Sequence, residues 1–399
     1  MPTLLQFNCT ANWGSTGKIA EQINLVAAVK GWKTYIVYGR SVNQSQSKLV
    51  RIGNTASQAV ALAEARLFDN DGLANRIATM RLVKKIKEIK PDIIHLHNLH
   101  GYYINYKILF EYLNSTTIPV VWTLHDCWSF TGHCSHFVGA NCEKWKTHCA
   151  DCPLKKAYPA SWWLDQSKRN YDLKKRLFSA NKNLHIVAVS QWLAELVKQS
   201  YLKNADIRVI NNGVDINTFS PNISEKVPKF SILGVSSVWT KSKGLHDFYH
   251  LRETLSADQY DITLVGLSDN QIKLLPQGIK GIARTNSVEE LVHYYNSADV
   301  VLSLSYGESM GLTPVEGMAC GTPAIVYNNT AQPELVAPNT GIVVNQGNIQ
   351  ELCQAIYTIQ KNGKQYYSSA CRNRAETYYN KEARYQEYVD LYKELISKQ

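Results

Sequence analysis

The stretch ADVVLSLSYGESMGLTPVEGMACGTPAIVY, from Ala298 to Tyr327, contains an apolar run, a turn, a short helical segment and a second apolar run. Its first part, ADVVLSLS (Ala298 to Ser305), carries no charge after Asp299 and reads as a strand buried on both faces, which implies a parallel sheet covered by helices. The strand is expected to end at Tyr306 and Gly307. A helix then starts with Thr313 as N-cap, Pro314 at the first helical position, where a missing N–H costs nothing, and Glu316 three residues after the cap. Backbone N–H groups at such a start are unpaired and attract anions, so Gly311, Leu312 and Thr313 are expected to receive a diphosphate. Glu308 and Glu316 flank the turn as candidates for sugar or ribose hydroxyls. Thr-x-x-Glu is equally a capping box, in which Glu316 satisfies only its own helix.

Outward from this segment, strands and helical periods alternate. Candidate strands are LLQFN (Leu4 to Asn8), TYIVYG (Thr34 to Gly39), DIIHLH (Asp92 to His97), PVVWTLH (Pro119 to His125) and HIVAVS (His185 to Ser190). After Arg208 come RVIN, KFSILGVS, DITLVG, DVVLSLS, PAIVY and GIVVN, with helical stretches such as SVEELVHYYNSA between them. This order predicts an α/β protein with two doubly wound, Rossmann-like domains. The first is expected over 1–217 with a Cys-rich insertion at 127–160, the second over 218–375, and a C-terminal helix over 376–399 that crosses back to the first. FSPNISEKVP, with its two prolines, marks the linker.

At 399 residues, 45% hydrophobic and 19% charged, the chain is long enough for two cores. No run of about 18 apolar residues is present, which excludes a membrane-spanning helix. The N-terminal MPTLLQFNCTANWGSTGK lacks a basic region followed by an apolar core, so a cytoplasmic location is expected. Residues 1–200 hold 25 Lys and Arg against 13 Asp and Glu, whereas 201–399 hold 18 against 20. The excess is densest in RLVKKIKEIK (Arg81 to Lys90) and SKRNYDLKKR (Ser167 to Arg176). These are either solvated helix faces or an attraction to an anionic membrane surface, at roughly 1 kcal/mol per basic residue. A nucleic-acid partner is not expected, because no RRM, KH or helix-turn-helix signature accompanies the charge.

Three further patterns carry chemistry. NWGSTGKIAEQI places Gly14 and Gly17 in a turn between a strand and a helix. It is not a P-loop, since Asn12 stands where the first glycine is needed and Ile19 follows Lys18. His95, His97, His100 and the pair His125–Asp126 sit at or near the carboxyl ends of predicted strands, where α/β sheets bind ligands. Each is alternatively a core histidine or a capping carboxylate. Five of the nine cysteines fall between Cys127 and Cys152. Cys134, Cys142, Cys149 and Cys152 have the number and type of ligands for a closed structural zinc site, with free thiols and disulfides as the alternatives.

Glu308-x7-Glu316, the continuation GMACGTPAIVYNNTAQPELV, and VINNGVDINTF from Val209 to Phe219 resemble the retaining glycosyltransferases of family 4. The resemblance implies the GT-B fold, with the two domains facing a central cleft. It implies that Glu308 faces the donor sugar, that Glu316 holds the ribose, and that Lys243, followed by Gly244, neutralises the leaving diphosphate. The family's phosphate-binding Arg is missing: Ser237 and Val238 occupy its place, leaving Lys241, or next Arg284, for that charge. His125 matches a Thr-x-His position near the reacting centre, and Gly14 and Gly17 let backbone approach donor or acceptor.

The implied reaction is a metal-independent hexosyl-type transfer with retained configuration. The donor is a nucleotide-diphosphate sugar, UDP-linked by default, and the acceptor a saccharide or lipid-linked saccharide. Similarity to bacterial capsule and exopolysaccharide enzymes of the colanic-acid type implies surface polysaccharide or lipopolysaccharide synthesis, with peripheral attachment at the inner face of the membrane. The alternatives are a GT-B sugar-nucleotide epimerase or phosphorylase, and a zinc-stabilised binding protein without catalysis.

Overall fold

Seven parallel strands make the sheet of the N-terminal unit: β1 (Thr3–Phe7), β2 (Lys33–Tyr38), β3 (Lys48–Arg51), β4 (Ile93–Leu96), β5 (Val120–Leu124), β6 (Leu184–Ala188) and β7 (Asp206–Val209). They lie in the order β3-β2-β1-β4-β5-β6-β7. The central strands β1, β4 and β5 are buried at every position, as apolar runs covered on both faces should be. A second sheet of six parallel strands holds β8 (Phe230–Val235), β9 (Tyr260–Val265), β10 (Ile279–Ile282), β11 (Val300–Ser303), β12 (Ala324–Tyr327) and β13 (Gly341–Val344), ordered β10-β9-β8-β11-β12-β13. Both sheets are doubly wound. The winding reverses between β1 and β4 in the first and between β8 and β11 in the second, and loops at the carboxyl ends of those pairs form the crevice where such sheets bind ligands.

Two strands escape the sequence reading, β3 and β10. Both are edge strands of four residues, KLVR and IKGI, whose lysines and glycine interrupt the apolar run. Charge on an edge discourages pairing with another chain, and it removes the pattern by which a strand is recognised.

The structure, a computed structural model, describes residues 1–222 and 228–398. Its two compact units are Met1–Ile210 joined by the residues from Tyr385 onward, and Asn211–Arg384. Residues 223–227 of the predicted linker lie outside the described residues. The changeovers at Ile210 and Tyr385 differ from the expected 217 and 376 for a local reason. Val214 donates its N–H to Tyr379 O (2.7 Å), Lys381 N returns one to Val214 O (3.0 Å), and Lys381 pairs with Asp215 at 2.7 Å. Gly213 permits this contact, because a Cβ there would stand 2.1 Å from Lys381 Cα.

The last helix, Lys381–Ser397, buries Tyr388, Val389, Tyr392 and Leu395 in one cluster with Leu4, Ile23, Trp32, Ile93 and Val121 of the first unit. Tyr388 is 1% exposed. Tyr388→Ala should therefore cost about 3–5 kcal/mol in chemical denaturation followed by fluorescence. A loss below about 1 kcal/mol would mean the helix does not complete the core beneath β1, β4 and β5.

Candidate functional site

In the second unit the loops after β8 and β11 meet. Tyr306 N donates to Ser242 O at 2.8 Å, and Ser305 Oγ reaches the same carbonyl at 3.2 Å. Gly244 makes the approach feasible: its φ is +74°, and a Cβ would fall 2.2 Å from Leu304 O. The outcome is an ion pair between Lys243 and Glu308, whose side chains are 35% and 21% exposed. Glu308 is further held through its N–H, which donates to Thr330 Oγ1 at 3.0 Å. Lys241 is exposed, as is Arg284, and neither forms an ion pair among the described residues. Ser237 and Val238 are exposed, and the side chain turned inward beside them is Trp239, whose Nε1 donates to Val265 O at 2.9 Å.

The helix Thr313–Ala319 corrects one expectation. Its N-cap is Leu312, not Thr313, and no side chain caps it. Leu312 already has φ −85° and ψ −27°, so Thr313 lies inside the helix and its hydroxyl no longer faces the third N–H. The capping box is absent, and Pro314 falls at the second position of the helix. Glu316 instead accepts a 2.7 Å hydrogen bond at Oε2 from Tyr295 OH. Tyr295 is fully buried, and burial together with the Glu316 charge pushes its phenol well above the usual range, so it remains a donor. Gly311, with φ +85°, turns the chain between the two glutamates. Tyr295, Thr330 and Gln332 belong to this architecture and were not singled out from sequence. Gln332 is fully buried and pins the end of β11 through Ser303 Oγ (2.7 Å) and Ser305 O (2.7 Å). Neutral residues supporting a site leave no pattern in a single sequence.

In the first unit, the helix Gly14–Val29 begins in the predicted turn. Gly14 (φ +65°) faces open space, whereas a Cβ on Gly17 would come 2.6 Å from Thr10 Oγ1, so Gly17 serves the folding of the turn on itself. The histidines divide. His95 lies within β4, fully buried, with Nε2 against Thr123 Oγ1 (2.8 Å) and Nδ1 against Tyr392 OH (2.6 Å), and is a satisfied core residue. His97 and His125 follow β4 and β5, and His97 Nδ1 meets His125 Nε2 at 3.0 Å. Burial drives His97 well below the ordinary histidine range and His125 down to about 4, so both are neutral near pH 7. His100 pairs with Asp126 at 2.8 Å. Although burial opposes it, the His100 charge holds Asp126 down, to about 2. Asp126 Oδ1 also accepts Trp128 N at 2.9 Å, so the carboxylate is both a cap and an ion-pair partner. His97, His100, His125 and Asp126 line one cavity.

The cysteine-rich insertion is anchored by buried polar groups. His133 Nδ1 contacts Asp69 Oδ1 at 2.6 Å, and Lys174 Nζ donates to Trp128 O (2.8 Å) and Thr131 O (3.2 Å). Lys174, read from sequence as part of a basic face, is 1% exposed, and burial lowers its pKa to about 7. Cys134, Cys142, Cys149 and Cys152 line a single cavity with Trp145 and Phe137. A hydrogen bond between the Cys134 and Cys152 side chains raises the first thiol's pKa and lowers the second's, and Gly132 N donates to Cys149 Sγ at 3.3 Å. As the side chains stand, no group of three or more His, Cys, Asp and Glu among the described residues is placed to hold a metal ion.

Comparison with known proteins bears on both units. A sequence model described as Glycosyltransferase Family 4 matches residues 42–218, and one described as Glycosyl transferases group 1 matches 229–362. The putative colanic acid biosynthesis glycosyl transferase WcaC of Escherichia coli K12 is 25% identical, covering 98% of this chain and 100% of its own length. An uncharacterized 41.2 kDa protein in the cps region of Klebsiella pneumoniae is 23% identical over 93% of this chain and 99% of its own. Among solved structures, sucrose-phosphate synthase from Thermosynechococcus elongatus superposes with a TM-score of 0.74 at 16% identity, covering all of both chains. Anabaena HepE in complex with UDP superposes at 0.64 and 17% identity, over 98% of this chain and 99% of that one. The two matched halves, each a doubly wound parallel sheet, show that the chain is a glycosyltransferase with a Glycosyltransferase Family 4 domain followed by a Glycosyl transferases group 1 domain, in the GT-B fold.

Proposed function

We propose that this glycosyltransferase moves a hexosyl group from a nucleotide-diphosphate sugar to a saccharide or lipid-linked saccharide, with retention of configuration, in surface polysaccharide synthesis. The observation that carries the reading is the Lys243–Glu308 pair at the point where the winding of the second sheet reverses. Paired with each other, Lys243 and Glu308 each compensate the other's charge. With donor bound, Lys243 turns to the diphosphate, where negative charge grows as the sugar–phosphate bond breaks, and Glu308 is released to the sugar. Glu316, oriented by Tyr295, takes the ribose hydroxyls, and the backbone at Gly311, Leu312 and Thr313 lies beside the phosphates. Lys241 supplies the second positive charge. The HepE complexes contain UDP or UDP-glucose, which supports a UDP-sugar as donor here. The E. coli relative's name supports polysaccharide assembly as the setting.

His125 shapes the reacting centre as a neutral ring. No protein base is assigned, because in a front-face transfer the leaving phosphate accepts the acceptor's proton, and the step requires no divalent metal. Thermal stabilisation by UDP-, GDP-, ADP- and dTDP-sugars, measured without added metal, should single out one nucleotide and disappear in Glu316→Ala. Lys243→Ala should keep its melting temperature and lose roughly 100-fold in kcat. Absence of a shift with every nucleotide would sink the donor site, and an inverted anomeric product by NMR would refute retention.

We also propose that Cys134, Cys142, Cys149 and Cys152 close on a structural Zn2+. Their common cavity and the Cys134–Cys152 contact support this, with the metal drawing the thiols inward and its binding energy contributing to folding of the insertion. Metal analysis of the purified protein should find zinc near one per chain, and Cys149→Ser should lose the metal and lower the melting temperature. Four titratable thiols, or disulfides, in metal-free protein would overturn it.

Attachment to an anionic membrane is proposed at Trp162 and Trp163, which are 61% and 71% exposed. Arg66 stands 5.8 Å from the Trp162 ring, and aromatic and basic side chains together suit a lipid headgroup layer. Among the described residues no helix is long and apolar enough to cross a membrane. Co-sedimentation with phosphatidylserine vesicles, weaker with phosphatidylcholine and reduced several-fold in Trp163→Ser, is the expected result. Equal sedimentation of the variant would place any contact elsewhere.

A further inference from the structure

We propose that Gln6 is a positioning residue for His125, fixing which of its ring nitrogens carries the proton. The inference draws its functional weight from the proposed role of His125, but the tautomer itself does not depend on that role.

One chain of hydrogen-bonded buried side chains in the first unit leads to His125. Gln6, on β1, is fully buried and makes three contacts. Its Nε2 lies 2.7 Å from Ala20 O and 2.6 Å from Asn24 Oδ1, and its Oε1 lies 2.7 Å from His97 Nε2. Ala20 O is a backbone carbonyl and can only accept, so the amide nitrogen of Gln6 must face it. Asn24 is oriented in the same way, because its Nδ2 donates to Tyr35 O (3.4 Å) and to Ser47 Oγ (2.9 Å), which leaves Oδ1 to accept from Gln6. Ser47 Oγ passes its own proton to Glu21 Oε2 at 3.0 Å. That buried carboxylate also accepts from Ser45 Oγ (2.7 Å) and Gln46 N (2.8 Å). Turning the Gln6 amide over would set its oxygen against two acceptors, at 2.7 and 2.6 Å, in a site without solvent.

With Gln6 fixed, only one arrangement of protons satisfies the rings. Gln6 Oε1 accepts, so His97 carries its proton on Nε2. His97 is 1% exposed and held neutral by burial, so its Nδ1 is a bare lone pair. His125 Nε2, 3.0 Å away, must then be the donor. The opposite tautomer would set two lone pairs against each other. His125, neutral as well, is left with an unprotonated Nδ1 that has no hydrogen-bond partner among the described residues. The ring therefore offers an acceptor, suited to a hydroxyl and unsuited to a phosphate or carboxylate oxygen. A five-residue series, Glu21, Ser47, Asn24, Gln6 and His97, imposes this polarity from the interior.

The test is a long-range 1H–15N correlation spectrum of the full-length protein labelled with 15N at histidine, with His125→Gln identifying the His125 signals. The expected spectrum shows His125 with a protonated Nε2 and a bare Nδ1. Gln6→Met, close in shape but without the amide, should move the Nδ1 signal toward the protonated position as the tautomers mix. A protonated Nδ1 in the unaltered protein overturns the inference. So does a folded Gln6→Met protein whose His125 signals are unchanged. Where Gln6→Met does not fold, Gln6→Glu, which retains an acceptor toward His97 but sets a carboxylate against Ala20 O, supplies the comparison: His125 signals unchanged from the unaltered protein in every variant that folds overturn the role of Gln6. Failure of every nucleotide sugar to bind would remove the transferase reading and leave the tautomer result standing.

Discussion

A parallel strand buried on both faces has no room for uncompensated polarity along its length, so polar chemistry is driven to its carboxyl end and the loop that follows. Both sheets of this protein obey that constraint. In the second, β11 is apolar and fully buried up to Ser303, and the charges Lys243 and Glu308 appear only in the loops beyond β8 and β11. In the first, β4 and β5 deliver His97 and His125 to the same end of the sheet. Polar residues that do lie inside these strands, His95 in β4, Gln6 in β1 and Thr123 in β5, are accommodated because their polar atoms have partners. The strand order then selects which loops matter, since only at the reversal of winding do neighbouring loops leave a crevice.

This is also why so much of the architecture could be read from one chain. Strands buried on both faces announce themselves as apolar runs, and every central strand was legible. The edge strands β3 and β10 were not, because lysines and a glycine interrupt their apolar runs, whereas the opposite edges β7 and β13 retain enough of theirs to be read. Of the candidate site, the sequence exposes the residues that use charge or glycine, Glu308, Lys243 and Gly244, which the fold brings together. The site was illegible where a neutral residue does the orienting. Tyr295, Thr330 and Gln332 become visible only when the fold brings residues distant in sequence into hydrogen-bonding range. Thr313 shows the opposite failure. A capping-box sequence was present, but Leu312 entered helical geometry one residue early, and backbone conformation overruled the local pattern.

The Cys-rich insertion illustrates a different dependence. A long irregular segment must satisfy its backbone groups without a sheet or helix to do so. Here Lys174 donates to two of its carbonyls, and His133 ties it to Asp69, which itself accepts Gln166 N at 2.8 Å. These contacts come from helices that the insertion must fold against, so its conformation depends on the unit that carries it. Burying Lys174 is costly unless its ammonium is well partnered, and the carbonyls of Trp128 and Thr131, together with the Trp128 ring 3.3 Å away, provide those partners.

The two units also handle buried polarity by different means, and the difference has chemical content. In the second unit Lys243 and Glu308 are opposite charges that neutralise each other while remaining partly exposed, so an incoming anion can replace Glu308 as the lysine's partner without stranding a buried charge. In the first unit the rings of His97 and His125 are neutral, and their order comes from hydrogen bonds with a fixed direction. A neutral chain of this kind cannot be rearranged one member at a time: reversing one amide or one ring sets like groups against each other at both of its neighbours. The second unit therefore has a site built to exchange partners, while the first has one built to hold a single polarity.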